Sequence, residues 1–181
     1  MRYFTLVLSL FAFLFLGCSK DSLRVAFQMT YPQNRFTVPA GLNNLESHYT
    51  FFYNIPSNKS FFFNEIGEDD ILEITPAAAR IRADQNLGDF SFAEEVVIRI
   101  CEDNQVNIGN VLEKCRREIF YRDNIPLNTG RQIELIPNGN NLKEALTQEE
   151  FTIVLVFLRM RTFTNISIPS NLELIFEAKR E

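Results

Sequence analysis

The sequence predicts an all-β protein: a single β-sandwich, immunoglobulin-like only in the loose architectural sense. Three observations predict it. Short apolar or alternating stretches recur along the chain. Turn-forming residues separate them at short intervals. Helical character is confined to one short stretch, residues 141–150. Eight or nine such strands with short connections read as two face-packed antiparallel layers. The chain has no Trp, and its cysteines Cys101 and Cys115 lie close together in sequence. Both facts argue against an antibody-type core.

The first predicted strand covers residues 23–29, and Tyr31-Pro32-Gln33-Asn34 reads as a turn after it. Residues 36–38 form a short extended piece that stops at Pro39, and residues 39–44 read as a loop. Residues 48–54 are aromatic and β-rich, a strand. Residues 71–74 lead into Pro76. Beyond it Ala79, Ile81 and Ala83 alternate with charges and share one face. Pro76 cannot donate to a ladder, so it marks an edge or a bulge. Residues 96–101 form another strand, with residues 117–121 returning beside it. Residues 131–136 follow a turn at Asn128-Thr129-Gly130. Residues 151–161 are apolar on both faces, as in a central strand covered on two sides. Residues 172–177 alternate and close the domain. In the one helical stretch, Asn141 stands where a cap belongs.

The chain has 181 residues, with 18 Lys and Arg against 23 Asp and Glu, a net charge of −5. Its length suits one ordinary domain with a proper core. The acidic balance argues against nucleic acid, whose phosphates call for a basic face. Protein and carbohydrate partners remain compatible with it.

The N-terminus has a different character. Arg2 is its only charge, residues 5–16 are uncharged and mostly Leu, Phe, Val and Ala, and Gly17-Cys18 precede the polar Ser19-Lys20-Asp21-Ser22. A basic head, an apolar run of about a dozen residues and a small residue before the cut make a secretory signal, too short to span a bilayer. Phe15-Leu16-Gly17-Cys18 resembles the lipobox of bacterial lipoproteins, with Phe15 where Leu is usual. That resemblance implies cleavage before Cys18 once its thiol carries a diacylglycerol. More than one acyl chain holds a protein stably to a membrane. Residues 1–17 are then a signal peptide, 18–22 an acylated tether and 23–181 the β-sandwich domain.

Cys18-Ser19-Lys20-Asp21 further resembles the export signal of Bacteroidota surface lipoproteins, with Ser22 in place of a second acid. Asp21-Ser22-Leu23 resembles the O-glycosylation motif of the same bacteria, with Ser22 as acceptor. Residues 39–43 and 120–123 look like those of small surface lipoproteins of this type, a likeness that brings no activity with it. These resemblances imply an outer-membrane address, on either the surface or the periplasmic face.

Cys101 and Cys115 are the remaining cysteine pair. In an exported protein the expectation is a disulfide closing the polar residues 102–114, rather than two free thiols, a redox pair or a metal site. His48 is the only histidine. With no nucleophile elbow, phosphate loop or zinc motif in the sequence, it reads as structural. Glu65, Glu68, Asp69, Asp70 and Glu73 form an acidic run without the spacing of a calcium loop, and read as a solvated cluster. Phe61-Phe62-Phe63 cannot all face inward on a strand, so at least one needs a cover. The alternatives are burial between sheets or a contact patch for a partner, a sugar or the membrane surface. No residue stands out as catalytic, and no cofactor or metal is expected. The leading functional expectation is a membrane-anchored, non-catalytic binding or accessory lipoprotein with a protein or carbohydrate ligand. A structural part of an envelope complex comes next, and a glycan-active enzyme last.

Overall fold

A computed structural model describes residues 23–57, 68–84 and 88–181. The signal segment, Cys18, Ser22 and Phe61-Phe62-Phe63 lie outside the described residues. Eight strands form among those described: β1 (Arg24–Val38), β2 (His48–Pro56), β3 (Glu73–Ala83), β4 (Ala93–Ile100), β5 (Arg117–Arg122), β6 (Gln132–Pro137), β7 (Glu150–Met160) and β8 (Ile168–Arg180). Two single-turn α-helices, α1 (Val111–Lys114) and α2 (Lys143–Leu146), and a 3-10 turn at Glu68–Asp70 sit in connections.

The strand order is β1-β8-β3-β6-β5-β4-β7-β2, with antiparallel pairing throughout. β5 and β6 share only Phe120↔Pro137 and Tyr121↔Ile136. The sheet folds over at that weak seam, so β1-β8-β3-β6 and β5-β4-β7-β2 face each other. The pairs β1–β8, β2–β7, β3–β6 and β4–β5 are those of a long hairpin rolled on itself. This is a jelly roll. The expected all-β sandwich is therefore present, and its likeness to immunoglobulin sandwiches lies in the two packed layers.

The core fills the space between the layers. Phe176 of β8 packs against Phe120 of β5 and Phe151 of β7, with ring centroids 5.9 and 6.4 Å away. Tyr31 of β1 meets Phe151 edge-on at 5.3 Å. At the far side Phe36 of β1 meets Phe52 of β2 at 5.8 Å, which brings the two ends of the sheet together. The roll is nearly a closed barrel. Leu142 and Leu146, at the start and end of α2, are fully buried and plug one mouth.

Prolines and bulges set which residues face this core. Residues 31–34 were expected to turn, but β1 runs straight through them with a register shift against β8 between Tyr31 and Asn34. The shift flips the inward face: Met29 and Tyr31 point in before it, Phe36 and Val38 after it. Pro32 is tolerated because β1 ends the strand order. Side chains tie the bulge down, Asn34 donating to the carbonyls of Tyr31 and Leu172, and Asn171 to that of Pro32. Pro76 also sits at a bulge, between Pro76 and Ala78. In β2 the shift between Phe52 and Ile55 contains Asn54 at φ 52°, and it returns Ile55 to the core.

β7 is covered on both faces, as its apolar run predicts. Phe151, Ile153, Leu155 and Phe157 enter the main core. Val154 and Val156 face outward into a second cluster with Val97, Val106, Val111 and the two cysteines. The segment 102–114 thus lies over the outer face of the second layer. The helix expected over residues 141–150 shrinks to the four residues of α2, because β7 already begins at Glu150. The cap position falls on Leu142 and not on Asn141 as expected; Asn141 Oδ1, one residue earlier, accepts the Lys143 N–H at 3.0 Å and that of Ile74 at 3.2 Å.

Candidate functional site

The outer face of the second layer carries the most distinctive surface. Alternation on β2 puts Tyr49, Phe51 and Tyr53 on that face. Their rings form a ladder, with centroids 6.5 Å apart and planes 17° off parallel for Tyr49–Phe51, and 5.6 Å and 15° for Phe51–Tyr53. Tyr49 and Phe51 are half-buried against the outer cluster, while Tyr53 is 47% exposed. The Tyr53 hydroxyl donates to the Val106 carbonyl at 2.9 Å and fixes the lower end of the ladder to the 102–114 segment. β2 ends the strand order, so the ladder stands at the margin of the sheet.

That segment is held rigidly. Cys101 and Cys115 are bonded, S–S 2.02 Å, and both are buried. Glu102 N–H donates to the Lys114 carbonyl, continuing the β4–β5 pairing past the disulfide. Asp103 and Lys114 pair at 2.7 Å. The Lys114 hydrogen bond and the Gln105 N–H hold the Asp103 carboxyl below its ordinary value, and the Asp103 bond raises the Lys114 ammonium. Asn110 and Asn107 cap backbone N–H groups of the turn before α1. The predicted disulfide and the loop it closes are both present.

Beside the segment, towards α2, lies an open cleft of about 750 Å³. Ile100, Cys101 and Phe151 form its buried apolar floor. Its rim carries Glu102, Arg116, Arg117, Glu144, Gln148 and Glu150, all exposed. Thr152, buried at its back, donates to Asn104 Oδ1 at 2.5 Å. Glu102, Arg116, Glu144 and Glu150 form no salt bridge with another described residue. A smaller hollow of about 460 Å³ continues the cleft past Arg117 to Lys143 and Thr147.

The other sequence candidates fall elsewhere. His48 opens β2, and its Nε2–H donates to the Asn43 carbonyl at 2.6 Å, which ties the loop before the strand. The acidic run is divided, since Glu73 pairs with Lys179 at 3.0 Å while Asp69 and Asp70 face solvent and Glu65 lies outside the described residues. No group of three or more metal-ligating side chains gathers among the described residues. No helix among them is long and apolar enough to cross a membrane. Sequence reasoning passed over the ladder, although aromatics at 49, 51 and 53 were its signal. The cleft had none, because its rim comes from three separate stretches of chain.

No family model matches the chain, and no curated protein matches it. Solved structures with some likeness include Desmodium yellow mottle tymovirus, 12% identical over 85% of this chain and 87% of that one, TM-score 0.31. A virus-like particle of the giant freshwater prawn Macrobrachium rosenbergii nodavirus is 14% identical over 90% and 97%, TM-score 0.35. Turnip yellow mosaic virus is 8% identical over 85% and 94%, TM-score 0.26. At these scores the likeness carries no argument, and the jelly roll rests on the strand order alone.

Proposed function

We propose that the protein is a non-catalytic envelope lipoprotein, a binding or accessory module held at the outer membrane by acyl chains on Cys18. The observation that carries the binding reading is the ladder of Tyr49, Phe51 and Tyr53 at the sheet margin. Flat rings with a polar tip offer an apolar surface together with hydrogen bonding, the combination that amphipathic ligands need. A carbohydrate chain is the first candidate ligand, with its apolar faces laid along the rings. The anchor reading is supported by the N-terminal sequence. A structural role in an envelope complex is the second reading, favoured by the marginal position of β2, whose edge can accept a partner's strand.

A photo-crosslinking residue in place of Phe51 tests the binding reading in intact cells. A glycan adduct supports the first reading, a polypeptide adduct the second, and no adduct from Phe51 or Tyr53 sinks both. Palmitate labelling tests the anchor separately: the label is lost in Cys18→Ala, and a label that persists removes the anchor from the proposal. Protease treatment of intact cells then assigns the face of the membrane.

A further inference from the structure

The antiparallel roll gives the molecule two poles. β1, β3, β5 and β7 begin at one pole, and β2, β4, β6 and β8 end there. Arg24 pairs with Arg180, and Glu73 with Lys179, at this pole. The cleft opens here as well, since its walls are the end of β4, the starts of β5 and β7, and α2. Leu45, Leu127, Phe163 and Ile166 mark the opposite pole, in the β1–β2, β5–β6 and β7–β8 connections.

The chain reaches the first pole from Cys18 through residues 18–22. Five residues span at most about 18 Å when fully extended. On the anchor reading, on which this inference rests, the pole with the cleft is therefore held against the bilayer. Leu23, Val25 and Leu72 are exposed at the root of the tether, around Lys179, which Val25 and Glu73 flank in register. Alongside them the cleft offers guanidinium groups at Arg116 and Arg117 and carboxylates at Glu102, Glu144 and Glu150. An anionic lipid meets repulsion from those carboxylates, and a neutral surface leaves both signs without partners. A headgroup with phosphate and ammonium a few bonds apart satisfies both.

We propose that this pole rests on the bilayer and that the cleft receives the headgroup of a zwitterionic phospholipid. Arg116 and Arg117 meet the phosphate, and Glu144 and Glu150 meet the ammonium. The pole marked by Leu45 and Phe163 then points away from the membrane and leaves the aromatic ladder accessible on the side.

The chain contains no Trp, so one introduced Trp reports its own surroundings. The full acylated protein is reconstituted in phosphatidylethanolamine–phosphatidylcholine vesicles carrying brominated chains. The Leu72→Trp variant is expected to shift to the blue and be quenched, and the Phe163→Trp variant to stay water-exposed. Quenching of both alike, or of Phe163→Trp alone, overturns the orientation. Glycerophosphoethanolamine in solution probes the cleft by NMR, with folding of each variant checked by circular dichroism. Its affinity is expected to fall at least tenfold in Arg117→Glu and in Glu144→Arg. Absence of binding to the parent protein, or no change in either variant, overturns the headgroup site. Equal competition by inorganic phosphate, or tighter binding of a peptide carrying both charges, overturns it too. Should Cys18→Ala abolish acylation while Leu72→Trp stays unquenched in the acylated protein, this inference fails and the anchor reading stands.

Discussion

Cys101 and Cys115 act through the chain that they close. Their bond spans a sequence separation of 14 and seats Val106 and Val111 on the outer cluster. Replacing both with Ser is expected to lower stability by about 3 kcal/mol, the loop entropy of a cross-link this long. Urea denaturation under non-reducing conditions checks the figure. The Asp103–Lys114 pair governs how the same segment responds to pH. A carboxyl held below its ordinary value contributes stability above the unfolded value, lost as pH falls through the folded one. An ammonium held above its ordinary value contributes below the unfolded value, lost as pH rises through the folded one. The protection factors of amides in residues 102–114, with the intrinsic pH dependence of exchange divided out, are therefore expected to be flat near neutral pH. They should fall only in strong acid and strong base, and a fall near pH 7 would contradict the pairing. The cysteines and their pairing were legible in the sequence. The partner of Asp103 was not, because no local rule selects Lys114 from the basic residues nearby.

At the scale of the element, single residues decide which face of a strand is wet. The bulge at Asn54 inserts an extra residue that turns Ile55 inward, and its left-handed backbone suits Asn or Gly. Asn54→Gly is expected to be near neutral in thermal melting, and Asn54→Val to cost about 1–2 kcal/mol, the penalty for a left-handed β-branched residue. Pro32 shows where reading by elements misleads. Pro and Asn together signal a turn, yet an edge strand accommodates both as a bulge. Recognising this requires knowing that β1 is at the edge, which is a property of the sheet. By contrast β8 alternates buried and half-buried residues along nearly its whole length, as its sequence predicts. The connections at the Leu45 pole are joined through Arg161, whose guanidinium donates to the carbonyls of Ala93 and Ile125. Arg161→Ala leaves two part-buried carbonyls without this donor. It is expected to cost about 1–3 kcal/mol, with faster exchange in residues 123–126.

At the scale of the molecule, Phe176 links the layers, touching rings from β1, β5 and β7. Phe176→Ala is expected to cost about 3–5 kcal/mol. Because one core serves both layers, far-ultraviolet dichroism and tyrosine fluorescence should lose signal together. Separate transitions would mean that the layers are independent. The two-pole layout belongs to this scale as well. It assigns the cleft to the tether side and the ladder to the flank, and gives each its own test.

The sequence by itself determined the β class, most strand positions, the doubly buried character of β7, the disulfide and the expectation of an anchored protein. These follow from local periodicity, turn chemistry, cysteine count and the N-terminal pattern, all properties of neighbouring residues. Tertiary structure alone decided the rolled strand order, the bulges that reset the inward faces, the outer cluster beneath the 102–114 segment and the placing of Arg116 and Glu144 on the rim of one cleft. These depend on which strands pair across long stretches of chain, where loop closure and packing, not local preference, set the outcome.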